Sequence, residues 1–170
     1  MITQKQRELA ESFLSDINPE LSNLYWELVF HLSHLGYRPV KQGNSLVFRC
    51  KWHHKHIAKI GFSPQREPFF ALRFSACQGY SQRFGEIVRE AVSKANYKPL
   101  SCMEGGAAHC KGPVDQRVYG YQFPNGEKRY LCGAKALEIP NLARPDMGEL
   151  KSLMEEEHRF LMKYETRASA

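Results

Sequence analysis

Cys102, His109, Cys110 and Cys132 are the side chains of this chain best suited to hold a soft metal ion. Thiolates and imidazole bind zinc tetrahedrally, and structural sites often join a loop to a hairpin that must be held together. Cys110 precedes Lys111-Gly112 and Cys132 precedes Gly133, so backbone amides can turn toward sulfur after each. A structural zinc is therefore the cofactor expectation, although the spacing lacks a paired C-x-x-C. The five cysteines are an odd number, and the N-terminus MITQKQRELAESF has no apolar secretory block. A disulfide framework is not expected, and a cytoplasmic location is.

Arg49, Lys51, Lys59 and Arg73 form the second constellation. Leu46, Phe48, Cys50 and Trp52 alternate with polar partners. Ala58, Ile60 and Phe62 continue the apolar set, followed by Phe70, Leu72, Phe74 and Ala76. Period-two alternation places the apolar residues on one sheet face and the four cations on the other. Like charges stacked there repel, so something must compensate them. The candidates are an outside anion, the chain's own acidic helices (with Glu155-Glu156-Glu157 foremost), or water. These four cations are the candidate ligand-binding residues for a small anionic ligand.

His53, His54 and His56 read as a solvated hairpin loop, and His31 and His34 as packed residues of a buried helix. Cys110 and Arg117 are separated by six residues, one more than a cysteine phosphatase loop allows. The extra residue breaks the ring of amides around phosphate, and that enzyme class is excluded. No P-loop, dinucleotide fingerprint or Gly-x-Ser-x-Gly elbow is present. Glu104, beside Cys102, is the carboxylate in the least ordinary setting, while the 155–157 run reads as the wet side of a helix.

The elements that must position these groups are legible. The 170 residues suit one domain. A helix from Thr3 to about Ser15 precedes a second that starts at Asn18-Pro19-Glu20 and stops at Gly36. Tyr37–Lys41 reads as an edge strand because Pro39 lacks an N–H. The three alternating strands follow. Phe84, Ile87, Val88, Ala91, Val92 and Ala95 then mark an amphipathic helix, expected over the apolar sheet face. A hairpin with an Asn125-Gly126 turn spans 117–133, residues 139–145 form a linker, and a last helix covers 146–165. The fold class is α+β: an antiparallel meander of three to four strands plus a C-terminal hairpin, packed by helices on one face.

Within one domain (1–170), segment 1–36 is helical and carries a charge of −3. Segment 37–98, the sheet and its helix, carries +9, and the remainder is neutral. The cysteine-containing loop and hairpin occupy 99–135. No stretch reaches the roughly 20 apolar residues that span a bilayer, and no membrane partner is expected. The leading functional expectation is a non-catalytic protein binding a small anionic ligand or a protein partner. The first alternative is a small enzyme using a thiol or metal-bound water near Cys102 and Cys110. The second is a nucleic-acid module on the basic face, whose aromatic platform is thin: Phe69 and Tyr37 remain once Phe48, Trp52 and Phe74 turn inward.

Overall fold

The computed structural model describes residues 2–95 and 111–165. Helix α1 (Gln4–Leu14) opens on a capping box in which Thr3 and Gln6 exchange side-chain-to-backbone hydrogen bonds. Helix α2 (Pro19–His34) is capped by Asn18, whose Oδ1 accepts from the Leu21 amide at 3.0 Å. It ends where Gly36 enters the left-handed region at φ +85°. Helix α2 starts and stops where its N-cap and Gly36 predict.

Strands β1 (Tyr37–Gln42), β2 (Ser45–Cys50), β3 (His56–Phe62) and β4 (Pro68–Leu72) form an antiparallel meander. The α+β class and the antiparallel sheet are as the alternation predicts. The strands are shorter than it suggests: the first ends at Cys50 rather than Trp52, and the third at Leu72 rather than Ala76. A fifth strand, β7 (Leu137–Ile139), pairs with β4 just ahead of the 139–145 stretch that reads as a linker, sharing only Ile139 with it. The hairpin β5 (Val118–Gln122) and β6 (Lys128–Cys132) forms a separate two-stranded sheet. Helix α3 (Gln82–Lys94) lies mainly against that hairpin and β7, not across the central strands.

One apolar cluster fills the space between the helices and one sheet face. It includes Leu28, Leu32, Leu46, Phe48, Ile60, Phe70 and Leu72, all fully buried. Phe74, just past β4, meets Tyr80, Phe84 and Tyr119 edge-on, with ring centroids 5.3–5.7 Å apart. The Tyr119 hydroxyl accepts from the Phe74 amide and donates to the Lys135 carbonyl. The 73–75 segment is thereby pinned to the hairpin.

Helix α4 (Met147–Glu165) closes the same segment from the other side. The Arg73 amide still donates to the Ile57 carbonyl of β3; beyond it the chain has no ladder to join, and its amides must find other acceptors. Three carboxylates of α4 supply them. Glu157 accepts from Ala76, Glu156 from Gln78 and Glu149 from Ser81, at 2.8, 3.0 and 2.6 Å. The acidic run is therefore not simply the wet side of a helix: Glu157 is fully buried. Its position explains this, because Leu150, Leu153, Met154, Glu157, Phe160 and Leu161 share the inward stripe.

Candidate anion-binding face

The sheet face turned away from α2 is built row by row from the strand register. Directly opposed residues stand about 5 Å apart and project to the same side. The first row is Arg38–Arg49–His56. The second is Val40–Val47–Lys59–Ala71–Glu138, and the third Gln42–Ser45–Gly61–Phe69. Arg38, Val40, Gln42, Arg49 and Glu138 are exposed, while Val47, Gly61 and Ala71 lie beneath the longer chains. Phe69 is laid flat over Gly61: a Cβ on that glycine would meet the Phe69 ring and Ser45 Oγ at 2.6 Å. Lys59 Nζ rests 5.2 Å from the centre of the same ring.

Arg38 and Arg49 oppose one another directly. Neither makes a hydrogen bond or ion pair among the described residues. Arg38 is a member of this face that the sequence pattern did not single out. Its signal was Pro39, which fixes the edge strand and therefore the row. Arg49 and Lys59 stand where alternation puts them.

Lys51 and Arg73 do not. Lys51 lies in the turn after β2, its ammonium 4.3 Å from the centre of the Trp52 ring. Trp52, expected in the core, is 47% exposed and lies over Gly36, where a Cβ would come within 2.3 Å of it. Arg73 follows the last residue of β4, so strand alternation no longer governs it. Only 7% exposed, it holds its Nε 2.6 Å from Glu157 Oε1, off the hydrogen-bond axis. The chain's own acid thus takes one of the four cations out of the open face.

The turn Lys51–Lys55 carries a second departure from expectation. His54 adopts a left-handed conformation at φ 57°, and His53 is buried instead of solvated. The Lys55 amide donates to His53 Nδ1 at 3.1 Å, which leaves the neutral ring's proton on Nε2. That Nε2 is buried and has no partner among the described residues. Burial, then His158 and Arg73, push the His53 pKa down to about 4. His56 is lowered by burial and by Arg73, Arg49, Lys59 and Lys55. The Tyr37 ring stands 5.9 Å from His53 and 5.5 Å from His158, and its hydroxyl lies 3.2 Å from His158 Nδ1.

Of the expected zinc ligands, Cys102, His109 and Cys110, with Glu104 beside them, lie outside the described residues. Cys132 is half-buried at the end of β6, opposite Val118. Among the described residues no group of three or more His, Cys, Asp or Glu side chains is arranged to hold a metal ion. Cys50 and Cys77 are buried. Burial, followed by Glu157 and Glu156, raises the Cys77 thiol far above its ordinary range, and its Sγ–H donates to the Leu153 carbonyl. Among the described residues no helix is long and apolar enough to cross a membrane.

Compared with known protein families, curated proteins and solved structures, the chain matches none.

Proposed function

We propose that this is a non-catalytic binding protein whose open sheet face takes an anionic ligand. The carrying observation is the register pair Arg38–Arg49, extended by His56 and Lys59, with no carboxylate paired to any of them among the described residues. Two arginines directly opposed across a ladder, their backbones about 5 Å apart, repel each other, and an anion between their guanidinium groups relieves this. Planar guanidinium forks suit carboxylate and phosphate oxygens, and the Phe69 ring adds a flat apolar floor. The Cys77 thiol, held protonated and capped by a carbonyl, favours binding over thiol catalysis. A structural zinc at Cys102, His109, Cys110 and Cys132 belongs to the same proposal as a fastening of the hairpin.

Calorimetric titration of the full chain with inorganic tripolyphosphate tests this. The native protein is expected to bind, more tightly at low ionic strength. Arg38→Gln combined with Lys59→Gln is expected to weaken binding about tenfold, since charge-assisted contacts carry most of it. Equal affinity in native protein and variant, or no binding even at low salt, overturns the reading.

A further inference from the structure

We propose that a cavity at the β7 edge of the sheet binds an aliphatic diamine. Glu67 and Glu138 each receive one ammonium group, and Tyr25 and Phe69 line the stem between them. The site lies at the opposite end of the sheet from Arg38 and Arg49 and goes beyond the anion-binding reading. Of the residues proposed for that face, Phe69 alone borders it.

The opening follows from the strand lengths. β7 pairs with β4 only from Phe70 to Leu72, and the chain then turns away through Pro140, Asn141 and Leu142. Pro68 and Phe69 pair with β3 and, among the described residues, have no strand on their other side. Between them and the departing turn lies a cavity of about 470 Å³, bordered by the start of α2. Both walls are held by the fold itself. Arg83 fixes the turn, donating to the Pro140 carbonyl at 2.7 Å while pairing with Asp146. The loop before β4 closes on itself: the Glu67 amide donates to Ser63 Oγ, and the Ser63 amide to the Glu67 carbonyl.

Two independent features give the cavity its chemistry. The first is a buried hydroxyl without a partner. Tyr25 is 1% exposed, packs against Phe70 and lines the cavity, yet its hydroxyl hydrogen-bonds to no described residue. Buried tyrosine hydroxyls usually have a partner, and here a polar ligand atom can supply it. Burial, then Glu138, push its pKa far above the ordinary range, so it stays a neutral hydroxyl whose oxygen can accept from an ammonium. The second feature is charge. Glu67 and Glu138 make no ion pair or side-chain hydrogen bond among the described residues, and the lining holds no lysine, arginine or histidine. In a chain with 24 Lys and Arg against 18 Asp and Glu, such an acidic wall favours a cation from outside.

The two acids stand at opposite ends of the cavity. Glu67 immediately precedes β4, and Glu138 is opposed to Ala71 near its other end. At roughly 3.3 Å per residue their α-carbons are offset by about 13 Å along the strand. Leu21, Phe69 and Ile139 supply apolar surface to the same lining. Acid, apolar surface, acid is the complement of a molecule with an ammonium at each end and methylenes between. The adjoining N-terminus of α2 is already capped by Asn18, whose Oδ1 takes the Leu21 amide.

The test titrates the full chain by calorimetry with diaminobutane, diaminopentane and diaminohexane at low, constant ionic strength, with pentylamine as the one-ended probe. At least one diamine is expected to saturate a single site about tenfold more tightly than pentylamine, the value of one charge-assisted contact. Glu67→Gln and Glu138→Gln should each weaken that diamine about tenfold and bring it level with pentylamine. Glu11→Gln removes an exposed acid of α1 outside the cavity and should change nothing. Tyr25→Phe keeps the ring and deletes the hydroxyl. Diamine affinity should fall severalfold while the urea midpoint holds or rises, because no hydrogen bond within the fold is lost. The site is overturned by no saturable binding of any diamine, by equal affinity for pentylamine, or by equal losses in Glu11→Gln and the two cavity variants. A lowered urea midpoint in Tyr25→Phe also overturns it, since the hydroxyl would then be paired inside the fold. Protein that binds the diamine but not tripolyphosphate keeps this site and loses the basic face.

Discussion

Arg49 and Arg73 come from neighbouring parts of the same sheet and have opposite fates. Arg49 sits within β2, opposite Arg38, and projects into solvent. Arg73 stands one residue past β4 and is enclosed by α4, with Glu157 against its guanidinium. Identical side chains thus serve two purposes. Inside a strand, the ladder fixes the face and leaves the charge available to a partner. Past the strand's end, the charge becomes part of the interior and must be matched there. The acidic run divides in the same way: Glu157 accepts from the Ala76 amide and faces Arg73, Glu156 accepts from Gln78, Glu155 lies 3.4 Å from His31, and none of the three is paired with Arg38 or Arg49.

The strongest way to break the comparison is to remove the buried acid. Glu157→Ala strands Arg73 in the interior and leaves the Ala76 amide without its acceptor. Breaking a buried pair from one side costs roughly 3–5 kcal/mol. A urea denaturation midpoint that stays close to the native value would show that Arg73 escapes to water. In that case it would belong with Arg49 after all. Replacing both partners, as in Arg73→Met with Glu157→Leu, should recover much of the loss, because a paired charge and a packed apolar pair differ little in net stability.

A smaller effect tests the boundary between the two regions, where His53 is buried against Tyr37. Its pKa in the folded chain is about 4, against an ordinary value of 6.5. Between those values the unfolded chain binds a proton that the folded chain refuses, so stability is full above about pH 6.5 and falls as pH drops toward 4. The groups facing His53 (His158, Arg73, Lys55 and His54) are all basic and act in the same direction. The contribution is at most about 3 kcal/mol, the equivalent of the full shift. His56, His158 and His31 are also lowered and add slopes of the same sign. Urea midpoints at several pH values should therefore decline through this window, and His53→Gln should flatten the decline. An unchanged slope in that variant would place His53 in water, as its polar turn suggests.

Much of this architecture is legible in the residues. Asn18-Pro19, Pro39, the Asn125-Gly126 turn and the alternation from Leu46 to Leu72 each carry a local physical signal that survives in the fold. What the chain hides is set by distant parts of it. Strand β7 is three residues long, too few for alternation to register. Arg73 looks like a strand cation because nothing local announces that β4 stops at Leu72. Glu157 sits inside a run of three glutamates and reads as solvated by composition. Its place on the stripe with Leu150, Leu153, Met154 and Leu161 was the available clue. His53 is buried within a polar turn in which His54 is left-handed, and the polarity of the turn residues does not foretell that burial. The candidate face was half visible for the same reason. Arg49 and Lys59 follow from alternation, but Arg38 and His56 join them only once the register is known.

The smallest expected effect concerns the open arginines themselves. Exposed charges that touch no partner contribute little to stability, and like charges directly opposed across a ladder work slightly against it. Arg38→Gln should therefore leave the denaturation midpoint unchanged or raise stability by a few tenths of a kcal/mol, about the size of a cross-strand pair term. Salt should act alike: screening relieves the Arg38–Arg49 repulsion in the native chain and has less to relieve in the variant. A loss of more than about 1 kcal/mol would mean that Arg38 packs or pairs within the fold, since surface substitutions usually stay near ±0.5. The difference between Arg49 and Arg73 would then be one of degree. A neutral or positive change, with the tripolyphosphate affinity falling in Arg38→Gln/Lys59→Gln protein, separates binding from folding at this face. Glu157→Ala cannot do that, because its arginine is part of the interior.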